Sequence, residues 1–212
     1  HRLALSPDQS HFAVVRNHLT AEVLLLSASS FERVDQILLP LPGDWITFGE
    51  SSSVILLSSK NDQSLNRYEI IGEGWKHDSI DLGRPATVMT RNHQGDLVYL
   101  ATTGYSEDGP VIHENHFIQD QVLVFKTSTL TLENQFITHR QETQSKTDHD
   151  ALEWTAGGSP LGIALTDEEL LLTFSGTNEV WRLSHHLKGP IIRESFRHEA
   201  LQHPIGIAWL GN

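Results

Sequence analysis

One pattern occurs four times along this chain, and it limits the fold more than any other feature. An apolar strand ends in a polar turn, a second strand follows, then a variable loop, then two more strands. The first copy reads Arg2-LALS-Pro7-Asp8-Gln9-Ser10-HFAVV, RNHLTAE, VLLLSAS and ERVDQILLP. The second reads DWITFGESSSVILLSS, KNDQSL, NRYEIIG and WKHDSIDLG. The third reads ATVMTRNHQGDLVYLATT, a long insertion, and DQVLVFKTSTLTLENQFIT; the fourth reads LGIALTDEELLLTFSG, TN and EVWRLSHHLKGPIIRESF. First strands start near Leu3, Trp45, Thr87 and Gly162, and a fifth opens near Gly206 in Pro204-IGIAWLGN. Where insertions are absent the period is about 42 residues, the length of a propeller blade.

Short strands at this density, bounded by Gly, Asn, Asp and Ser, fit a sandwich, a barrel or a propeller. The repeat selects an all-β propeller of four-stranded antiparallel blades. Blades are expected over residues 1–41, 42–84, 85–140 and 159–200, a fifth strand over 204–212, and insertions over 104–121 and 138–158. Val23–Leu26 and Leu170–Leu172 are continuous apolar runs, as expected of strands covered on both faces by neighbouring blades. Ser6–Ser10 and Asn92–Asp96 read as tight turns between first and second strands, because Pro presets φ and Gly tolerates positive φ. Thr177-Asn178 reads as a two-residue hairpin. Trp45, Trp181 and Trp209 are expected to pack between blades.

Ser159-Pro160-Leu161-Gly162-Ile163-Ala164 and His203-Pro204-Ile205-Gly206-Ile207-Ala208 resemble the P-x-G-I-A strand openings of NHL- and YVTN-type propellers. Gly176-Thr177-Asn178-Glu179-Val180-Trp181 is similar to their third-strand entry. The resemblance implies a fold more than an activity, since such propellers include lactonases, ligand sensors and scaffolds. Four repeats plus one opening strand point to part of a six- to eight-bladed ring. The start at His1, without Met or signal peptide, reads as a mature or excised piece.

Fifteen Lys and Arg against 27 Asp and Glu give a formal charge of −12. Phosphate backbones select basic surfaces, so nucleic acid is not expected as a partner. No apolar run approaches the roughly 18 residues of a membrane helix. With no cysteine, thiolate nucleophiles, thiolate zinc sites and covalent haem attachment within the chain are excluded. A periplasmic or secreted location is expected, with the cytoplasm also compatible.

In a propeller, the loops between second and third strands share a face with the blade-to-blade crossovers. His18, Tyr105, His139, Trp154, His198 and His203 fall on that face with both insertions, and form the expected partner or ligand surface. His11, His77 and His93 sort to the opposite face. His113 and His116, with Asp148, His149 and Asp150, offer imidazole and carboxylate ligands for a divalent metal. Their alternative reading is solvated loop side chains, since H-x-x-H is weak outside a helix. Glu107, Asp108 and Glu153 could join acid–base chemistry only if they converged with a histidine. Arg16, Lys60, Arg84 and Arg91 read as solvated.

The leading functional expectation is a non-catalytic binding or scaffold propeller. It would engage a protein, or the rest of its own propeller, through the insertion-bearing face. The alternative is a metal-dependent, lactonase-like hydrolase or the propeller part of a periplasmic redox protein. No cofactor is specified beyond that divalent ion.

Overall fold

The computed structural model describes residues 2–103, 120–138, 160–166, 169–184, 192–197 and 204–208. Sixteen strands form four separate four-stranded antiparallel meanders among these residues. Blade 1 contains β1 (Leu3–Leu5), β2 (His11–Asn17), β3 (Ala21–Ser27) and β4 (Arg33–Leu38). Blade 2 contains β5 (Trp45–Phe48), β6 (Val54–Ser59), β7 (Ser64–Ile71) and β8 (Gly74–Asp81). Blade 3 contains β9 (Ala86–Arg91), β10 (Leu97–Thr102), β11 (Gln121–Lys126) and β12 (Leu132–Ile137). Blade 4 contains β13 (Pro160–Leu165), β14 (Glu169–Phe174), β15 (Glu179–Ser184) and β16 (Ile192–Arg197). The first strands lie side by side in the order β1, β5, β9, β13, so the blades stack face to face around them.

Strand alternation explains the stacking. Successive side chains point to opposite faces, so each strand of a sandwiched blade feeds two cores. On β10, Val98 and Leu100 pack toward blade 2, while Tyr99 and Ala101 pack toward blade 4. On β6, Ile55 and Leu57 join the core shared with blade 1, and Leu56 joins the core shared with blade 3. This is why the central strands lack the apolar–polar alternation of a half-wet sheet: β6 is buried at every position.

Polar contacts also cross the interfaces. Trp75 Nε1 donates to Asp35 Oδ2 at 2.9 Å between blades 2 and 1. Thr87 Oγ1 donates to the carbonyl of Pro160 between blades 3 and 4. Trp181 is 1% exposed and packs in the core between blades 3 and 4, with its indole N–H on Glu179 Oε2 at 3.0 Å. Trp45 lies against both cores that flank blade 3.

Both first-to-second-strand turns form as expected. In the first, Gln9 takes φ +59° and Asp8 accepts from Ser6 Oγ, Ser10 Oγ and the Ser10 amide. Those hydrogen bonds, led by Ser10, hold the Asp8 carboxyl well below the usual carboxylate range. In the second, Gly95 takes φ +77°, and a Cβ there would lie 2.5 Å from the carbonyl oxygen of Gly49 in blade 2. Glycine is therefore required twice over, by conformation and by approach.

Three local expectations change. The β14–β15 connection is four residues, because Phe174 pairs with Glu179; Asn178 takes φ +56° and closes it. Pro204–Ala208 form no strand, although a fifth inner strand was expected there. The segment still runs beside β13, since a Cβ on Gly162 would meet Gly206 Cα at 2.9 Å. First strands of successive blades here pair only within their own sheets, so this stretch has no described ladder partner. Arg91, read as solvated, is half-buried and donates to the Gly49 carbonyl at 3.3 Å; its desolvation lowers the guanidinium pKa.

Candidate functional site

The second-to-third-strand loops and the crossovers mark one end of the blade stack. Two polar devices stiffen that end within blades 1 and 2. Asn17, at the end of β2, donates to the Gly43 carbonyl at 2.6 Å and accepts from the Gly43 amide at 3.2 Å. This two-way bond ties the β2–β3 loop to the crossover into blade 2. It leaves His18 exposed, with Leu19 at 92% exposure beside it. Leu19 is therefore an apolar side chain held in water on a clamped loop.

In blade 2 the Lys60 amide donates to Asp44 Oδ2 at 2.7 Å, which ties the crossover to the β6–β7 turn. From that turn a chain of hydrogen bonds runs outward across β7 to the exposed edge strand β8. Ser64 Oγ donates to Asp62 Oδ1, and Asn66 Nδ2 donates to Ser64 Oγ, each at 2.6 Å. Asn66 Oδ1 then meets His77 Nε2 at 2.9 Å. The His77 ring stacks on Tyr68 with centroids 4.6 Å apart. Burial pushes the Tyr68 hydroxyl up to about 12, with the Asp62 charge adding to the shift. His77 therefore lies within β8 as a packing and hydrogen-bonding residue. The sequence reading assigns it to the opposite face.

Blade 3 joins the bases of both long insertions. Thr102 ends β10 where the first insertion begins, and Asp120 precedes β11 where it returns; Thr138 follows β12 where the second begins. The Thr138 amide donates to the Asp120 carbonyl at 2.9 Å, so the two bases are directly linked. Thr102, Asp120 and Thr138 are each no more than 3% exposed. The Thr103 amide bonds the Pro85 carbonyl at 3.3 Å, which adds the crossover from blade 2 to the same patch.

Of the sequence-predicted surface, His18 lies on the described face. Tyr105, His139, Trp154, His198 and His203 lie outside the described residues, as do His113, His116, Asp148, His149 and Asp150. Among the described residues no group of three or more His, Asp or Glu is placed to hold a metal ion. Sequence reasoning missed Leu19 and the Asp120–Thr138 link. Leu19 carried a readable signal, an isolated leucine between polar residues in a predicted loop. The link did not, because it is made by backbone groups.

Stacked four-stranded meanders with their first strands at the centre define a β-propeller. Solved structures agree. The chain is similar to the β-propeller domain of Myceliophteria thermophila Cps50 (Swd1), at 11% identity and TM-score 0.63, covering 93% of this chain and 58% of that one. A proposed 6-phosphogluconolactonase from Bacteroides fragilis matches at 10% identity and TM-score 0.60, with 97% and 56% covered. The WD40 domain of Toxoplasma gondii coronin matches at 10% identity and TM-score 0.57, with 90% and 43% covered. At these identities the likeness is one of fold, and the chain spans between two-fifths and three-fifths of those structures. No family model matches the chain, and no curated protein matches it significantly.

Proposed function

We propose that this chain is a non-catalytic binding propeller, of NHL or YVTN type, that docks a protein partner on its insertion-bearing end. The observation that carries the reading is the Asp120–Thr138 hydrogen bond. It roots both long insertions at one point on a rigid blade, and long loops on a rigid scaffold are where binding residues concentrate. The exposed Leu19, on its Asn17–Gly43 clamp, adds an apolar contact on the same end. His18, Tyr105, His139, Trp154, His198 and His203 are the side chains assigned to the contact. The acidic balance of the whole chain favours a partner with basic character. The setting proposed is the periplasm or the cell exterior, and cell fractionation tests it.

A photo-crosslinking residue placed at Leu19, at Tyr105, and at Gln94 in the β9–β10 turn on the opposite face tests the docking end. The expected result is one defined adduct, of the same mass, from positions 19 and 105 and none from 94. Equal labelling from all three positions, or adducts from 94 alone, would overturn the assignment. The competing reading is a metal-dependent hydrolase using His113, His116, Asp148, His149 and Asp150. Metal analysis separates the two readings.

A further inference from the structure

Two sheet faces of this propeller carry apolar side chains and have no neighbouring blade among the described residues. The first is the face of blade 1 turned away from blade 2. Ladder register places Leu3, Val14 and Leu24 in one row across it, and Leu5, Phe12 and Leu26 in the next. Leu3 is 56% exposed and Leu5 43%, and the other four are half-buried. The second is the face of blade 4 turned away from blade 3. There Val180 pairs with Phe196, which is 50% exposed.

The repeat shows what these faces are built for. The positions of Phe12 and Val14 on β2 correspond to Ile55 and Leu57 on β6, to Val98 and Leu100 on β10, and to Leu170 and Leu172 on β14. In those three blades every such residue is at most 2% exposed, because the preceding blade covers it. Blade 1 alone presents the same face uncovered. At the other flank, Gly162 turns away from blade 3, and Gly206 lies against it at the position a next inner strand would take.

We infer that about three further blades of the same polypeptide close the ring, and that the last of them seats an apolar sheet face on Leu3, Leu5, Phe12 and Leu24. The number follows from the neighbours. Four blades fill 58% of one propeller domain and 56% of another chain of the same fold. At that share a complete ring holds about seven blades, within the usual four to eight. A second copy of this chain would have to seat its own β1 beside β13, where Pro204–Ala208 already lies against Gly162. The occupant is therefore a β-sheet arc continuous with Pro204–Ala208, and its core resembles the three interfaces already formed.

The test uses the absence of native cysteine. Leu5→Cys and Leu24→Cys are made singly in the complete natural polypeptide, with Lys60→Cys as an exposed reference. Maleimide labelling is followed under native conditions, with native mass measured alongside and circular dichroism confirming the fold. The expected result is a monomer in which positions 5 and 24 label at least about tenfold more slowly than position 60, as covered sites that react only on opening do. Labelling at the reference rate would mean an open flank and overturn the inference. Protection that appears only in a dimer and vanishes on dilution would assign the face to a second copy and overturn it equally. None of these outcomes touches crosslinking at position 19, so ring closure and partner docking fail separately.

Discussion

Arg67 on β7 donates from Nε to the carbonyl of Thr127 at 2.9 Å, reaching from blade 2 into the β11–β12 turn of blade 3. Its side chain is only 5% exposed, and its Nη1 also meets Glu69 at 2.8 Å and Asp78 at 3.4 Å. One guanidinium thus joins two blades and balances two carboxylates. Arg67→Ala is expected to destabilise the fold by about 2–4 kcal/mol, at or below the usual cost of breaking a buried pair because both carboxylates can rehydrate. Arg67→Lys should recover only part of this, since an ammonium cannot serve the three directions at once. Urea denaturation of the three proteins checks the order.

The same cluster sets a pH dependence. Glu69 is held below the ordinary carboxylate range by its hydrogen bond from Arg67, and Asp78 by its bond from Lys76, with Arg67 assisting. A depressed carboxylate contributes stability above its unfolded pKa of about 4 and loses it as pH falls through the lower folded value. The stability gap between wild type and Arg67→Ala should therefore narrow on acidification from pH ~6 to ~3. A gap that stays constant would assign the effect of Arg67 to the Thr127 bond and packing alone.

Gly95 and Gly74 make a matched pair. Gly95 has φ +77° and a backbone oxygen 2.5 Å from any added Cβ; Gly74 has neither constraint. Gly95→Ala should cost about 2 kcal/mol or more, from left-handed strain plus displacement of the Gly49 strand end. Gly74→Ala should lie within about 0.5 kcal/mol of wild type. Thermal denaturation of both variants reads the contrast.

Metal content separates the two functional readings. Under the binding reading, elemental analysis of protein purified without chelators returns substoichiometric metal, unchanged in the His113→Ala/His149→Ala variant. One equivalent that is lost in that variant would transfer the chain to the metal-dependent class.

The fold was legible because its signal is periodic. Four copies of one strand pattern, with Pro7, Asp8 and Gly95 at the turns, state a blade architecture without any tertiary information. The unbroken apolar runs Val23–Leu26 and Leu170–Leu172 added the expectation that blades are covered on both faces. The β14–β15 loop was misread because Thr177-Asn178 resembles a hairpin pair, while register is decided by Phe174 facing Glu179 across the ladder. Arg91 looked solvated because sequence does not show that Gly49 of the neighbouring blade comes within reach. Much less of the insertion-bearing end was legible. His18 and Leu19 could be placed on a loop, but the clamp at Asn17 and the joint at Asp120 and Thr138 depend on residues distant in sequence.

The alternation along each central strand has a consequence for how damage spreads. Ile55 and Leu56 are adjacent in the chain, yet they serve different cores: Ile55 answers to Ala13 and Val15, and Leu56 to Val98 and Leu100. Covalent neighbours of this kind should behave as strangers in a double-mutant cycle, while residues roughly one blade apart in sequence behave as partners. Energetically the blades then form a circle of dominoes, each leaning only on its neighbours. Loss of one joint opens the circle into a single row that persists, and fraying starts at the two end tiles newly laid bare.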